Sequence, residues 1–204
     1  MTWILVGYFP KRCMTRARLA SPFPTSSNTR FLLSTYVEEI CSVSDCIAQG
    51  PKGWRDQGKH NVYDLYNNPN LAWSVVPVEE RADFELFAYR LYLVEFEDGQ
   101  EQATEDVWEL PVEPMAGSFV RLGWDAVEGS THGNFGCSPL TCNNKVCNVG
   151  SEAGIPAVNR YALVTTPEDG IRLARHFSLT KPEPGPYYVV EVWRDASSIT
   201  EPSA

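Results

Sequence analysis

The longest apolar stretch of the chain covers residues 84–97 and predicts a central β-strand. Apolar side chains occupy both its even and its odd positions, which is typical of a strand with two buried faces. Asp98-Gly99 follows at once, and this dipeptide predicts a tight hairpin turn. We therefore expect a return strand over residues 100–109.

Shorter patterns predict the elements of the N-terminal half and a further strand. Residues 3–9 form an apolar run that Pro10 ends, and residues 118–127 predict another strand. Thr35 and Glu38 resemble a capping box, and apolar positions follow at helical spacing, so we expect a helix of about three turns up to Gly50. A short helix is expected over residues 71–76.

The C-terminal part predicts a β-α-β unit. Residues 161–165 and 187–194 are strand-like, and between them Thr166 and Pro167 form a typical helix start, followed by acidic residues in the first turn. A right-handed crossover is expected if the two strands lie parallel in one sheet.

These elements predict the α+β class. We expect one domain over residues 1–195, with a mixed, mostly antiparallel sheet, the C-terminal β-α-β unit and few helices. Residues 129–157 lose all periodicity and predict a long irregular loop, while residues 196–204 predict a flexible tail. No repeat with a period of 20–50 residues is evident.

The charge restricts the classes of partner. The net charge of −9 and the pI near 4.8 disfavour nucleic acid, because a phosphate backbone repels such a chain. The exception is the basic segment from Lys11 to Arg30. No apolar run reaches the roughly 20 residues of a membrane span, and the first residues lack the basic region of a signal peptide. We therefore expect a cytoplasmic protein with reduced thiols and no membrane contact.

The cysteines offer a candidate metal site. The pattern Cys-Ser-x-x-x-Cys occurs at Cys41–Cys46 and again at Cys137–Cys142. These four thiols form a candidate zinc site, although the spacing is looser than the usual ligand pairs. One alternative is buried small side chains at Cys41 and Cys46, with loop thiols at Cys137, Cys142 and Cys147. Another is a disulfide or redox pair in the loop.

A catalytic site has three candidate residues. His132 precedes Cys137 by five residues in the irregular loop, which leaves a cysteine–histidine pair open. Glu191 is the one acid inside an apolar strand, where we favour an edge or outward-facing position over a functional one.

The strand, helix and glutamate-bearing strand over residues 161–194 resemble the closing segment of ADP-ribosyltransferases. The resemblance implies Glu191 as the catalytic acid and NAD as the substrate. The arginine or histidine of the family's first strand has no counterpart in residues 3–9 of this chain, where Tyr8 is the nearest substitute.

Loop aromatics predict a contact surface. Trp54, Tyr63 and Tyr66 stand among polar residues, and aromatic anchors are enriched at interfaces. Together with Asn134 and Asn143 of the irregular loop, they are the predicted binding residues. Our leading hypothesis is therefore a non-catalytic protein that binds a protein partner and needs no cofactor. A nucleotide-using enzyme with its site at the 129–157 loop and a cysteine-ligated zinc domain are the alternatives.

Overall fold

The computed structural model describes residues 1–16, 37–43, 50–104, 111–129, 135, 136, 138–142 and 157–198. Five strands form one antiparallel sheet in the order β1-β4-β7-β6, with β5 paired to the outer part of β4. They are β1 (Trp3–Lys11), β4 (Glu85–Glu97), β5 (Gln100–Ala103), β6 (Phe119–Glu128) and β7 (Tyr187–Asp195); β2 (Met14–Thr15) and β3 (Glu39–Ile40) pair separately.

Three α-helices accompany the sheet in the described part of the chain: α1 (Pro69–Ser74), α2 (Pro139–Cys142) and α3 (Pro167–Thr180). Short 3₁₀ turns lie at Arg55–Gln57, Val78–Asp83 and Ala196–Ser198. The α+β class and the mostly antiparallel sheet with few helices are thus confirmed. None of the described helices has the length and apolar character needed to cross a membrane.

The strongest local signals of the sequence give the predicted structures. Asp98 and Gly99 form the turn between β4 and β5 with positive φ angles of 48° and 77°. Thr166 caps α3 by accepting a hydrogen bond from the backbone N–H of Asp169 at 3.1 Å. The first strand runs past Pro10 to Lys11, because β1 is an edge strand, where a residue without an N–H is tolerated.

The predicted helix after Thr35 is wrong over residues 37–43. Glu39–Ile40 is a strand, and the backbone N–H groups of Glu38 and Glu39 both donate to the Arg160 carbonyl at 2.9 and 3.1 Å. The Cys41 N–H donates to the Tyr161 carbonyl at 3.1 Å. Tertiary pairing therefore overrides the helical spacing. Residues 35, 36 and 44–49 lie outside the described part.

The C-terminal unit keeps its helix and last strand, but its first strand is reduced to isolated bridges. In residues 161–165, Val164 pairs with Trp124 of β6 and with Val158, and no ladder continues. Because β6 lies between this bridge and β7, helix α3 connects two chain segments that are not neighbours in the sheet.

The two halves of the chain repeat one structural unit at a spacing much longer than the periods typical of repeat proteins. Asn159 lies 98 residues after Asn61, and each begins the pattern Asn-x-Tyr-x-Leu, with proline eight residues after the asparagine. Each proline starts a helix, α1 or α3. The unit also contains a bulged strand, β1 or β6, and a second strand, β4 or β7.

The hydrogen bonds of the two asparagine loops coincide. The Asn61 side-chain amide donates to the Val6 carbonyl at 2.9 Å, while its oxygen accepts from Tyr63 and Leu65. Asn159 donates likewise to Leu122 at 2.7 Å and accepts from residues 161 and 163. The sequence therefore builds the same loop twice.

The sheet register is that of an approximate twofold axis. Gly7 of β1 lies opposite Tyr89, and the equivalent Gly123 of β6 lies opposite Val192. Tyr89 and Val192 in turn pair with each other at the centre of the sheet. The two units thus join through β4 and β7 and place β1 and β6 at the outside.

The two faces of the sheet differ in character. Helices α1 and α3 contact the sheet strands, and the apolar side chains of α3 pack in one core cluster with Trp124, Val189 and Tyr187. Alternation along the strands places polar side chains on the opposite face, beside apolar ones such as Phe87 and Val190. The polar ones are Lys11, Glu85, Tyr89, Asp125 and Arg194. We call this opposite face, which carries two basic and two acidic side chains of this set, the polar face.

Candidate functional site

The two Cys-Ser-x-x-x-Cys segments meet at one buried carboxylate. Strand β6 carries Asp125 on the polar face, where the Ser42 hydroxyl donates to Oδ2 and the Ser138 hydroxyl to Oδ1, both at 2.7 Å. All three residues are fully buried. The repeated motif that suggested four metal-binding thiols therefore contributes its serines to a shared hydrogen-bonded centre.

Burial raises the pKa of Asp125, and its hydrogen bonds oppose that rise. The donors are the two serine hydroxyls and the backbone N–H groups of Val43 and Ala126, which favour the ionised form. Ser42 lies 83 residues before Asp125 and Ser138 lies 13 residues after it, so Asp125 fastens both segments onto the sheet.

Lys11 is buried beside this centre. Its ammonium group donates to the Ser42 carbonyl and lies 5.1 Å from the ring centre of Tyr89 and 5.8 Å from that of Phe87. Only 1% of Lys11 is exposed, so its positive charge belongs to the interior of the polar face. Lys11, the first residue of the predicted basic segment, is thus part of the core.

A second centre on the polar face contains two thiols and two carboxylates. Ligand atoms of Cys13, Glu39 and Cys41 lie within 4.8 Å of one another, and Cys13 Sγ is 3.7 Å from Glu85 Oε2. Arg194 Nη1 bridges the carboxylates, at 2.9 Å from Glu39 Oε2 and 3.1 Å from Glu85 Oε2. We call Cys13, Glu39, Cys41 and Glu85 the thiol centre.

The thiol centre favours the protonated forms of Cys13, Cys41 and Glu85. The hydrogen bond with Cys41, followed by burial, raises the pKa of Cys13 well above its usual range, and burial raises that of Cys41. Burial, followed by repulsion from Glu39, raises the pKa of Glu85. Negative charge is therefore disfavoured here unless a further cation compensates it.

Cys13 was missed by sequence reasoning because it belongs to neither Cys-Ser-x-x-x-Cys motif. Cys41 is the one predicted zinc ligand whose side chain is described, and it is buried beside Cys13. Cys46 and Cys137 lie outside the described residues, and of Cys142 only the backbone, at the end of α2, is described. The predicted four-cysteine set stays a prediction.

Glu191 does not occupy the edge or outward-facing position that the sequence favoured. Strand β7 is internal to the sheet, and 3% of Glu191 is exposed. Arg90 Nη1 lies 3.0 Å from its Oε2 and Arg121 Nη1 lies 3.3 Å from its Oε1. Both carboxylate oxygens are thus paired with arginines, which explains how an acid is accommodated in an inner strand. Its catalytic role stays a prediction.

The three predicted contact aromatics are buried. Trp54, Tyr63 and Tyr66 are 8%, 6% and 0% exposed and belong to the main core cluster. They are therefore not an open aromatic surface, and their role in binding stays a prediction.

Two of these aromatics line a small open pocket. It is formed by eight residues, which we call the aromatic pocket: Phe9, Val43, Trp54, Arg55, Tyr63, Asp64, Leu65 and Phe135. The Tyr63 and Phe135 rings stack with 5.4 Å between their centres and 25° between their planes. Phe135 comes from the 129–157 loop, so the two regions predicted to bind a partner lie in contact here.

The described part of the basic segment carries mainly internal contacts. Arg12 Nη2 lies 3.3 Å from Glu80 Oε2 and 3.3 Å from Asp83 Oδ2, and Arg16 Nε donates to the Val37 carbonyl at 2.7 Å. Arg12 and the turn at Gly50 both line a cleft of about 390 Å³. The described arginines thus form no free basic patch, while Arg18 and Arg30 lie outside the described residues.

Three predicted loop residues remain without a described position. His132, Asn134 and Asn143 lie outside the described residues, so the predicted pairing of His132 with Cys137 is untested. Comparison of the chain with protein-family models, with curated proteins and with solved structures gives no match.

Proposed function

We propose that this chain is a non-catalytic binding protein whose protein partner inserts one apolar side chain into the aromatic pocket. The observation that supports the proposal best is the contact between Tyr63 and Phe135, because it joins the loop aromatics to the 129–157 loop. The pocket walls come from four separate parts of the chain, which the sheet and its loops hold together.

The size of the pocket favours a side chain over a small molecule. Its accessible space is about 30 Å³, which is roughly the room of two water molecules. Sites for whole ligands usually have about 300–1,000 Å³. A pocket this small accommodates the end of an aliphatic side chain, and such insertions into desolvated pockets provide anchors at protein interfaces.

The charges favour a basic partner segment. The chain carries a net charge of −9, which attracts cationic partners over long range. At the pocket, Asp64 is half-buried and Arg55 stacks over Trp54 at 4.8 Å, with 3.8 Å between Arg55 Nε and Asp64 Oδ2. A lysine or arginine next to the inserted side chain would compete with Arg55 for Asp64. The proposed ligand is thus a peptide segment with one apolar anchor and a basic neighbour.

Selection from a random peptide display library tests this proposal. We expect the enriched peptides to share one aliphatic residue beside lysine or arginine. Titration calorimetry of an enriched synthetic peptide should then show that Tyr63→Ala lowers the affinity at least about 30-fold, as expected for an anchor contact worth about 2 kcal/mol.

Tyr161→Ala provides the matched control, because Tyr161 occupies the same position of the Asn-x-Tyr-x-Leu pattern in the second unit. It should bind the peptide within about twofold of the parent chain, on the basis that distant sites contribute independently. Phe135→Ala, at a half-buried position, serves as a second pocket variant if Tyr63→Ala melts early. Enrichment of no common sequence, or equal loss in the Tyr63 and Tyr161 variants, would contradict the proposal.

A further inference from the structure

The strand geometry brings three donor side chains to one point. Glu39 and Cys41 are two residues apart in and after β3, so both point to the same side. Met14 pairs with Ile40, which places Cys13 across from Cys41. The resulting ligand atoms of Cys13, Glu39 and Cys41 lie within 4.8 Å of one another, and all three residues are buried.

The separations suit a tetrahedral metal ion. Zinc lies about 2.3 Å from thiolate sulfur and about 2.0 Å from carboxylate oxygen, so a sulfur and an oxygen on the same ion are roughly 3.5 Å apart. Cys13 Sγ and Glu85 Oε2 are 3.7 Å apart. Glu85 thus contacts one member of the group formed by Cys13, Glu39 and Cys41, and it is the candidate for a fourth donor of a residue type that binds zinc.

Arg194 is placed as an outer partner of such a site. Its Nη1 hydrogen-bonds to one oxygen of Glu39 and one of Glu85, at 2.9 and 3.1 Å, which fixes the orientation of both carboxylates. Ligating carboxylates are commonly held by hydrogen bonds of this kind. Arg194 would thus act as the hydrogen-bond partner of both carboxylate ligands.

A buried hydroxyl provides an independent indication. Tyr89 is 0% exposed, and its hydroxyl has no hydrogen-bond partner among the described residues. Tyr89 and Glu85 are four residues apart on β4, so their side chains lie on the same face of the sheet. An unpaired buried hydroxyl is costly, and a metal-bound sulfur or oxygen could accept a hydrogen bond from it.

We propose that Cys13, Cys41, Glu39 and Glu85 form a binding site for a divalent thiophilic cation, for which zinc is the best fit. The ion would join the start of the chain to β3 and to the sheet through β4, on the face opposite the helices. This site is independent of the aromatic pocket. It differs from the four-cysteine set suggested by the sequence, with which it shares only Cys41.

Elemental analysis and cobalt(II) titration test the site. Protein purified under reducing conditions without chelator should contain equimolar zinc. After removal of that zinc, cobalt(II) should produce visible bands of tetrahedral intensity and a near-ultraviolet charge-transfer band matching two thiolates instead of four. Absence of bound zinc together with a featureless cobalt spectrum would overturn the proposal.

Single substitutions assign the ligands. Cys13→Ser should weaken cobalt binding by roughly 100-fold or more, beyond the 10–100-fold typical of lost outer-shell partners. Cys147→Ser is the matched control, since Cys147 belongs to neither ligand set, and it should bind cobalt as the parent does. Loss of binding in Cys46→Ser and Cys142→Ser but not in Cys13→Ser would assign the metal to the other set and overturn ours.

Two further results separate a metal site from its alternatives. A Cys13–Cys41 disulfide, detected by mass spectrometry in protein purified without oxidant, would contradict the site.

If Cys13→Ser does not fold, Tyr89→Phe is the variant to be tested instead. We expect about 10-fold weaker cobalt binding, as for an outer-shell partner, with no loss of melting temperature in the metal-free protein. Unchanged cobalt affinity in a folded Tyr89→Phe would then overturn the assignment.

Discussion

Asp125 fastens the segments of Ser42 and Ser138 to the sheet, so its substitution tests the contribution of the polar face to stability. Asp125→Asn replaces one accepting oxygen by an amide that donates, which leaves a serine hydroxyl or a backbone N–H without its acceptor. We expect a loss of about 2–3 kcal/mol in the free energy of unfolding, measured by urea denaturation. Asp98→Asn, at an exposed ion pair with Lys181, is the control and should change it by less than about 0.5 kcal/mol.

Because the pKa of Asp125 is raised, the stability difference between the parent and Asp125→Asn should depend on pH. The folded protein binds the Asp125 proton more tightly than the unfolded chain does, so this contribution is fully present below about pH 3.8 and is lost as the pH rises through the folded pKa. The difference in unfolding free energy between the parent and Asp125→Asn should therefore grow as the pH falls from 7 toward 4. A difference that shrinks over this range would mean that Asp125 is preferentially ionised in the folded protein.

Glu191 and Cys13 illustrate which single residues a sequence can identify. The isolated acid in an apolar strand predicted an edge or outward-facing position, which is wrong, because its partners Arg90 and Arg121 come from other strands and follow only from the sheet order. Cys13 carries no motif, and its proximity to Cys41 depends on the pairing of β2 with β3. The sequence therefore shows which residue types are present, while the contacts between them depend on how the strands pair.

The bulged strand with its asparagine loop is the element that the chain uses twice. At Gly7 the φ angle is +148°, and an added Cβ would lie 2.6 Å from Leu65 Cβ; at Gly123 φ is +154°, and the Cβ would lie 2.6 Å from the Val164 carbonyl oxygen. Both glycines are thus required by backbone conformation and by close approach of the loop.

Substitution of these glycines tests the equivalence of the two loops. Gly7→Ala and Gly123→Ala should each lower the free energy of unfolding by more than about 3 kcal/mol, because strain and a steric clash add. Gly58→Ala is the control, since φ is +59° there and nothing lies within 4 Å, so a cost of about 1–2 kcal/mol is expected. A similar cost at all three positions, measured by urea denaturation, would argue against a shared loop architecture.

Local chemistry explains which elements the sequence predicted well. The Asp98-Gly99 turn and the Thr166 cap depend on neighbouring residues only, so both follow from the sequence. The helix expected after Thr35 fails over residues 37–43, because the strand there is held by carbonyls of Arg160 and Tyr161, more than 100 residues away. The repeated unit could not be predicted from the sequence, because its two copies share only a few identical residues, which lie 98 positions apart.

The whole molecule is a sheet of two similar units whose differences carry the functional proposals. Phe9 lies two residues after Gly7 in β1, and Asp125 lies two residues after the equivalent Gly123 in β6, so the two residues occupy equivalent positions. Phe9 lines the aromatic pocket. The first unit thus contributes an apolar pocket, and the second contributes the carboxylate that fixes both Cys-Ser segments. The hydrophobic pattern predicted the α+β class and the composition gave an acidic chain, but only the tertiary structure separates these two regions.

Nuclear magnetic resonance of the nitrogen-15-labelled chain with a selected peptide distinguishes the two units most directly. Binding at the aromatic pocket predicts the largest backbone amide shifts at Trp54, Tyr63, Leu65 and Phe135, with the equivalent loop around Tyr161 nearly unchanged. Largest shifts in the loop after Asn159, or along helix α3, would contradict the proposed partner site.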